Sequence, residues 1–210
     1  MNVERIADKI AESFLADIQG ASVKALLTRA SEVTPEPIHW LWEGWLAAGK
    51  FHIIGGAPGC GKTSIALALA SVISLGGLWP DGTKSKPGNV VIWSGEDDPK
   101  DVLVPRLIAS GADLGRVYFV SGITVCAQKR SFDPATDMDA LNLKLREIDD
   151  VRLLIIDPIV SAVAADSHKN AETRRGLQPL VNLATALDCA VLGITHFSKG
   201  TAGRDPLERV

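Results

Sequence analysis

Residues Phe51 to Thr63 read F-H-I-I-G-G-A-P-G-C-G-K-T. An apolar run of β character gives way to four glycines and a proline. Lys62 and Thr63 then open "SIALALASVISL", a stretch of helical character. Residues this flexible do not hold structure by themselves. They let the backbone turn back on itself so that successive N–H groups point inward and form an anion nest. The segment Gly56 to Thr63 satisfies G-x-x-x-x-G-K-[ST], with a strand expected before it and a helix after it. In such a loop the helix adds the positive end of its dipole. Lys62 is placed to reach β- and γ-phosphates, and the Thr63 hydroxyl to ligate Mg²⁺. The pattern predicts a cradle for the phosphates of ATP made from Gly56, Ala57, Pro58, Gly59, Cys60, Gly61, Lys62, Thr63 and Ser64. The competing interpretation is a glycine-rich turn with a chance lysine. Cys60 stands at a variable position of the motif and is read as a bystander.

Around this loop the chain alternates. Apolar runs at 51–55, 89–94, 117–120, 152–156 and 190–195 are expected strands. Helical patterns fall between them, at about 62–75, 99–110, 137–149 and 171–187. Strands alternating with helices predict parallel βαβ units. Near-continuous apolar strands such as "RLLII" predict a sheet covered on both faces. The expected fold is α/β, mainly a parallel sheet with helices on both faces. Val3, Ile6, Ile10, Phe14 and Ile18 recur at helical spacing, predicting a short N-terminal helix over 3–18. The organisation expected is an N-terminal helix and linker over 1–37, then one domain over 38–210. Trp40, Trp42 and Trp45 mark a segment that docks on something, more in keeping with packing than with base stacking.

Three further strand ends carry polar groups. "LLIIDP" delivers Asp157 to the end of a buried strand, the Walker-B position for holding Mg²⁺ directly or through water. The plainer alternative is an aspartate capping the turn before Pro158. "VVIWS" runs into "GEDDP", where Glu96 can polarise a water attacking the γ-phosphorus. Asp97 and Asp98 are alternatives for that role, or caps of the helix opening near Pro99. "AVLGIT" leads to His196, placed to report the γ-phosphate or else to lie on the surface as an ordinary strand-end histidine.

Bulk properties exclude some functions. Net charge is −3 and the sequence pI is about 5.8, so no overall basic field draws in nucleic acid or an anionic membrane. Cys60, Cys126 and Cys189 lie far apart, without metal-ligand spacing, as expected of free thiols in a reducing compartment. The N-terminus carries acids throughout and lacks the apolar centre of a signal peptide. The longest apolar run, "IALALASVISL", is shorter than the roughly 20 residues that span a bilayer. A cytoplasmic protein without a membrane segment is expected.

Taken in order, "GAPGCGKT", "SGEDDP", "LLIIDP" and "THFSKG" resemble the motifs of RecA-like P-loop ATPases. Within these, the chain most resembles the RepA/DnaB-type hexameric helicase branch and its plasmid- and phage-borne AAA-type relatives. "GGLWPDG" and "GTAGRDPLERV" also look like segments of those relatives, and the resemblance covers about residues 38–210. It implies phosphate and Mg²⁺ binding by Lys62 and Thr63, a catalytic base at Glu96, a Walker-B acid at Asp157 and a γ-phosphate sensor at His196. It also implies a homo-oligomer, a hexameric ring with ATP between subunits. Arg204 or Arg209 would then act in trans as the arginine finger. The family core continues with further strands where this chain ends in "DPLERV", which leads us to expect an unpaired sheet edge.

Two polar segments, 164–176 and 197–206, could face single-stranded DNA in a ring's channel, through Lys169 or Lys199. Arg174 and Arg175 serve equally well as a solvated helix face. The activity expected is ATP hydrolysis by a motor acting on DNA, of the replicative helicase type. The alternatives are a recombinase-like or regulatory ATPase without unwinding, and an ATP-dependent assembly switch. A small-molecule kinase is disfavoured, because no lid-like arginine cluster is present and Glu96 suits water activation.

Overall fold

The computed structural model describes residues 25–162 and 170–196. The chain divides into two units at Pro37/Ile38. Of the first, a single 3₁₀ turn at Ala30–Glu32 is described. The expected helix over 3–18 lies outside the described residues, as do Lys169, Lys199, Arg204 and Arg209.

Five strands build the main sheet of the second unit: β3 (Phe51–Gly56), β4 (Asn89–Ser94), β5 (Val117–Phe119), β8 (Val151–Asp157) and β9 (Ala190–His196). Their order is β3-β9-β8-β4-β5, and every neighbouring pair is parallel. Along β4 and β8 the residues alternate between two cores. Val90, Ile92, Leu153 and Ile155 face one side, with Ala66, Leu67, Ala70 and Ile73 of helix α1 (Lys62–Leu75). Val91, Trp93, Leu154 and Ile156 face the other, with helices α3 (Met138–Leu145) and α4 (Asn170–Leu187). Both faces are covered, so these strands read as continuous apolar runs. Register brings the strand ends level at one edge of the sheet, with Gly56 opposite His196 and Ser94 opposite Asp157.

Among the described residues β3 pairs only with β9, so the strand feeding the glycine loop is an edge, with Ile53 45% exposed.

The expected helix at 99–110 is two pieces. Pro99–Leu103 is a wide π-helical turn in which the Val102 and Leu103 N–H groups both donate to the Asp98 carbonyl, each at 3.1 Å. Helix α2 (Val104–Ala109) follows. Pro105 explains the widening: it has no N–H, and its ring excludes the carbonyl four residues earlier. The expected helix at 137–149 is shorter, ending at Leu145 in tighter turns.

Two hairpins join these elements. β1 (Trp40–Trp42) and β2 (Leu46–Ala47) meet through a turn in which Gly44 has φ +75°. That turn stacks Trp45 on Trp42 at 5.3 Å between ring centroids, and Trp42 stacks on the buried Trp79 at 5.1 Å. The tryptophan segment thus docks on the sheet's own covering, leaving Trp45 71% exposed. β6 (Ile123–Val125) and β7 (Gln128–Arg130) form the second hairpin. It is tied to the start of α3 by Arg130, whose two guanidinium nitrogens each donate to the Asp137 carboxylate at 2.6 Å. Arg130 holds the Asp137 carboxyl down at about 2.

Close packing beside Asp157 needs one glycine. A Cβ on Gly193 of β9 would stand 2.8 Å from Ile159 Cγ1, in the 3₁₀ turn Ile159–Ala162 that follows β8. Gly193→Ala should force that turn away from β9 and cost about 1–3 kcal/mol, as overpacking does. A denaturant midpoint unchanged from the parent protein would show that the turn yields freely.

Candidate functional site

Helix α1 starts where the glycine loop ends. Gly61 caps it with φ +89°, a conformation open to glycine but strained for other residues. The first N–H groups of a helix have no internal acceptor, so they face outward into the loop. Ala57, Pro58, Gly59 and Cys60 are exposed, Gly56 is buried, and Ser64 on the first turn is exposed.

Lys62 is the first residue of α1 and only 4% exposed. Its Nζ donates to the Gly56 carbonyl at 3.1 Å and to the Ala57 carbonyl at 2.9 Å, and lies 3.0 Å from His196 Nδ1. Thr63 Oγ1 donates to Asp157 Oδ2 at 2.8 Å, joining helix α1 to the end of β8. His196 Nε2 lies 3.5 Å from Glu96 Oε2, and the Glu96 side chain is half exposed. Lys62, Thr63, Glu96, Asp157 and His196 come from four separate stretches of chain. The fold gathers them at one edge of the sheet.

The loop after β4 separates the roles of its three acids. Asp98 accepts from the Lys100 N–H at 2.7 Å and caps the π-helical turn. Asp97 faces Arg106 at 3.9 Å. Glu96 alone of the three faces His196. Ser94 shapes this loop: its hydroxyl accepts from the Asp97 N–H at 2.9 Å and the Glu96 N–H at 3.4 Å. Ser94 and Gly193 are not among the residues expected at the site. A serine just before "GEDD" was the available signal for the first, because serine hydroxyls bond backbone two and three residues on.

Asp157 is 3% exposed. Burial pushes its carboxyl above the ordinary carboxylate range, against the Thr63 hydrogen bond; Glu96 and Asp97 push the same way as burial, and His196 opposes them. Among the described residues no group of three or more His, Cys, Asp and Glu side chains could hold a metal ion. The Thr63 hydroxyl and the Asp157 carboxylate offer hard oxygens side by side. That pair suits Mg²⁺, which draws few ligands from protein and the rest from phosphate and water.

The model of a family described as "AAA domain" matches residues 20–202. The chain belongs to the AAA domain family. This AAA domain is a P-loop ATPase by that membership, and its parallel sheet flanked by helices is the RecA-like P-loop fold. Nucleotide binding follows at the same level. No curated protein matches the chain. Among the described residues of this AAA domain no helix is long and apolar enough to cross a membrane.

The raised carboxyl of Asp157 has a thermodynamic consequence. The folded protein holds that proton more tightly than the unfolded chain, so stability falls as pH rises from the ordinary carboxylate range to the raised value. Asp157→Asn carries no charge and escapes that loss. Its melting temperature relative to the parent is expected to climb as pH rises above the ordinary carboxylate range. Parallel melting curves for the two proteins over that rise would contradict the assignment.

Proposed function

We propose that this AAA domain is an ATP-hydrolysing motor of the RepA/DnaB helicase type, acting on DNA. One observation carries the ATP-hydrolysing part of the proposal: Lys62, Thr63, Glu96, Asp157 and His196 converge within hydrogen-bond or ion-pair reach at the mouth of the glycine loop. The backbone of Gly56–Thr63 and the ammonium of Lys62 hold the β- and γ-phosphates. Thr63 and Asp157 would hold Mg²⁺, which would neutralise charge on the phosphate oxygens. Glu96 orients and polarises the attacking water. Its side chain is half exposed, so water reaches it. His196, beside Lys62, senses the terminal phosphate.

In this proposal the active form is a homo-oligomeric ring. A neighbour's Arg204 or Arg209 completes each site, and single-stranded DNA passes segments 164–176 and 197–206. The supports are the motif order and the family. The sheet itself serves a DNA motor and an assembly switch equally well.

Glu96→Gln separates binding from chemistry. Nucleotide affinity, read with a fluorescent ATP analogue, should persist, while kcat drops by about 10²- to 10⁴-fold, the usual contribution of a positioned base. Undiminished hydrolysis would remove Glu96 from the role. Single-stranded DNA is expected to raise the parent's ATPase rate, and mass measurement with ATP to find a ring. Slow, DNA-independent turnover with ATP-driven assembly would identify the switch instead.

A further inference from the structure

Lys62 carries three N–H donors and no acceptor. Three oxygen and nitrogen acceptors meet its Nζ, the carbonyls of Gly56 and Ala57 and His196 Nδ1, at 3.1, 2.9 and 3.0 Å, while the weakly accepting Cys60 Sγ lies farther off at 4.0 Å. The ammonium is therefore fully engaged by the protein. The lysine leaves His196 no choice of tautomer. Nδ1 faces a group that only donates, so Nδ1 must accept and the ring proton resides on Nε2. Nε2 is the atom that faces the Glu96 carboxylate, at 3.5 Å. At that distance the two groups are in contact without a hydrogen bond, and catalytic contacts of this kind tighten when substrate binds.

Resting on the ATPase function proposed above, we infer that His196 is a positioning residue for Glu96, with Lys62 setting its tautomer so that Nε2–H holds the carboxylate. A phosphate oxygen that takes a donor of Lys62 has to replace one of three acceptors. Two are backbone carbonyls of the loop itself, fixed by its fold. The third is a side chain on another strand. His196 is the acceptor that gives way, and its movement reaches Glu96 directly. Arrival of the phosphate at Lys62 is thus transmitted to the group that aims the water, through one imidazole ring.

Two measurements test this. The first is read on the parent protein: ¹⁵N-histidine NMR at about pH 8, above the ordinary histidine range. The His196 signal, picked out of four histidines by its loss in His196→Asn, is expected to show the Nε2–H tautomer. Adding Mg²⁺ with a non-hydrolysable ATP analogue should shift its Nδ1 resonance. An Nδ1–H tautomer, or an Nδ1 resonance indifferent to the analogue, overturns the inference.

The second is a kinetic cycle. An asparagine amide stands near the place of Nδ1 and keeps a partner for Lys62, but falls short of Glu96. His196→Asn should lower kcat roughly tenfold with KM nearly unchanged, as loss of an orienting contact does. In a Glu96→Gln background the same change should lower the residual rate by less than about twofold, because residues that act as a unit are not additive. An equal fall in both backgrounds overturns the inference. The two readings fail separately: a parent protein that binds the analogue and hydrolyses ATP yet shows the Nδ1–H tautomer loses only this role for His196. A parent with no ATP binding or turnover loses the proposed function and this role with it.

Discussion

A cation buried at the positive end of a helix is the constraint from which the site follows. Lys62 is the first residue of α1 and is almost wholly covered. The helix dipole and the unbonded N–H groups of the first turn add positive potential at the same point. Left alone, such a group is costly to bury. Two carbonyls of the glycine loop and one imidazole nitrogen offset that cost, and each dictates structure around it. The carbonyls require a loop that wraps the lysine. The imidazole requires β9 to lie beside β3, with Gly56 and His196 opposite one another. An anion with several oxygens satisfies the same potential better than any of these neutral acceptors.

A second cross-connection runs from Thr63 to Asp157 and ties α1 to the end of β8. β9 lies between β3 and β8, so the two links from adjacent residues of α1 reach different strands. Adjacent positions on a helix point about 100° apart. Lys62 and Thr63 thus fan out over the sheet edge, toward β9 and β8 respectively. Glu96 arrives from β4 on the far side of β8 and closes the arc through His196. The order β3-β9-β8-β4 is what lets four distant segments share one small volume.

Legibility in the sequence varied with the source of the signal. The glycine loop and α1 were readable because spacing, residue type and flanking periodicity agree there. The central strands were readable because burial on both faces writes unbroken apolar runs at "RLLII" and "VVIW". Both hairpins went unread. Their strands are two or three residues long, too short to show alternation. The second turns on Cys126 and Ala127, with φ +47° and +66°, where glycine or asparagine would have announced the turn. Pro99 was read as a helix start, but the consequence of Pro105 six residues later was not, and the helix expected there is split. At the site, the strand-end acids could be named from sequence, but not their partners. Which of Glu96, Asp97 and Asp98 faces His196 depends on the turn made by Ser94, a matter of backbone geometry.

The electrostatics of Asp157 extend this argument from structure to use. Its charge is disfavoured first by burial, then by Glu96 and Asp97 nearby. A fold selected for stability alone has no need of three carboxylates so close to a buried strand end. Replacing a buried charged group by an uncharged one is often neutral or favourable. The arrangement makes sense where positive charge arrives from outside the chain. A divalent cation held by Thr63 and Asp157 would remove the penalty that burial imposes, and a ligand that binds only the folded state adds its own binding free energy to stability. The cost carried by the unliganded carboxylate and the affinity for the cation are then two measures of one electrostatic field. The same reasoning applies in reverse to Lys62, whose buried positive charge a phosphate would offset. A metal–nucleotide complex presents both signs at once. The site, with its acids gathered toward β8 and β4 and its cation on α1, matches that pattern of charge across a few ångströms.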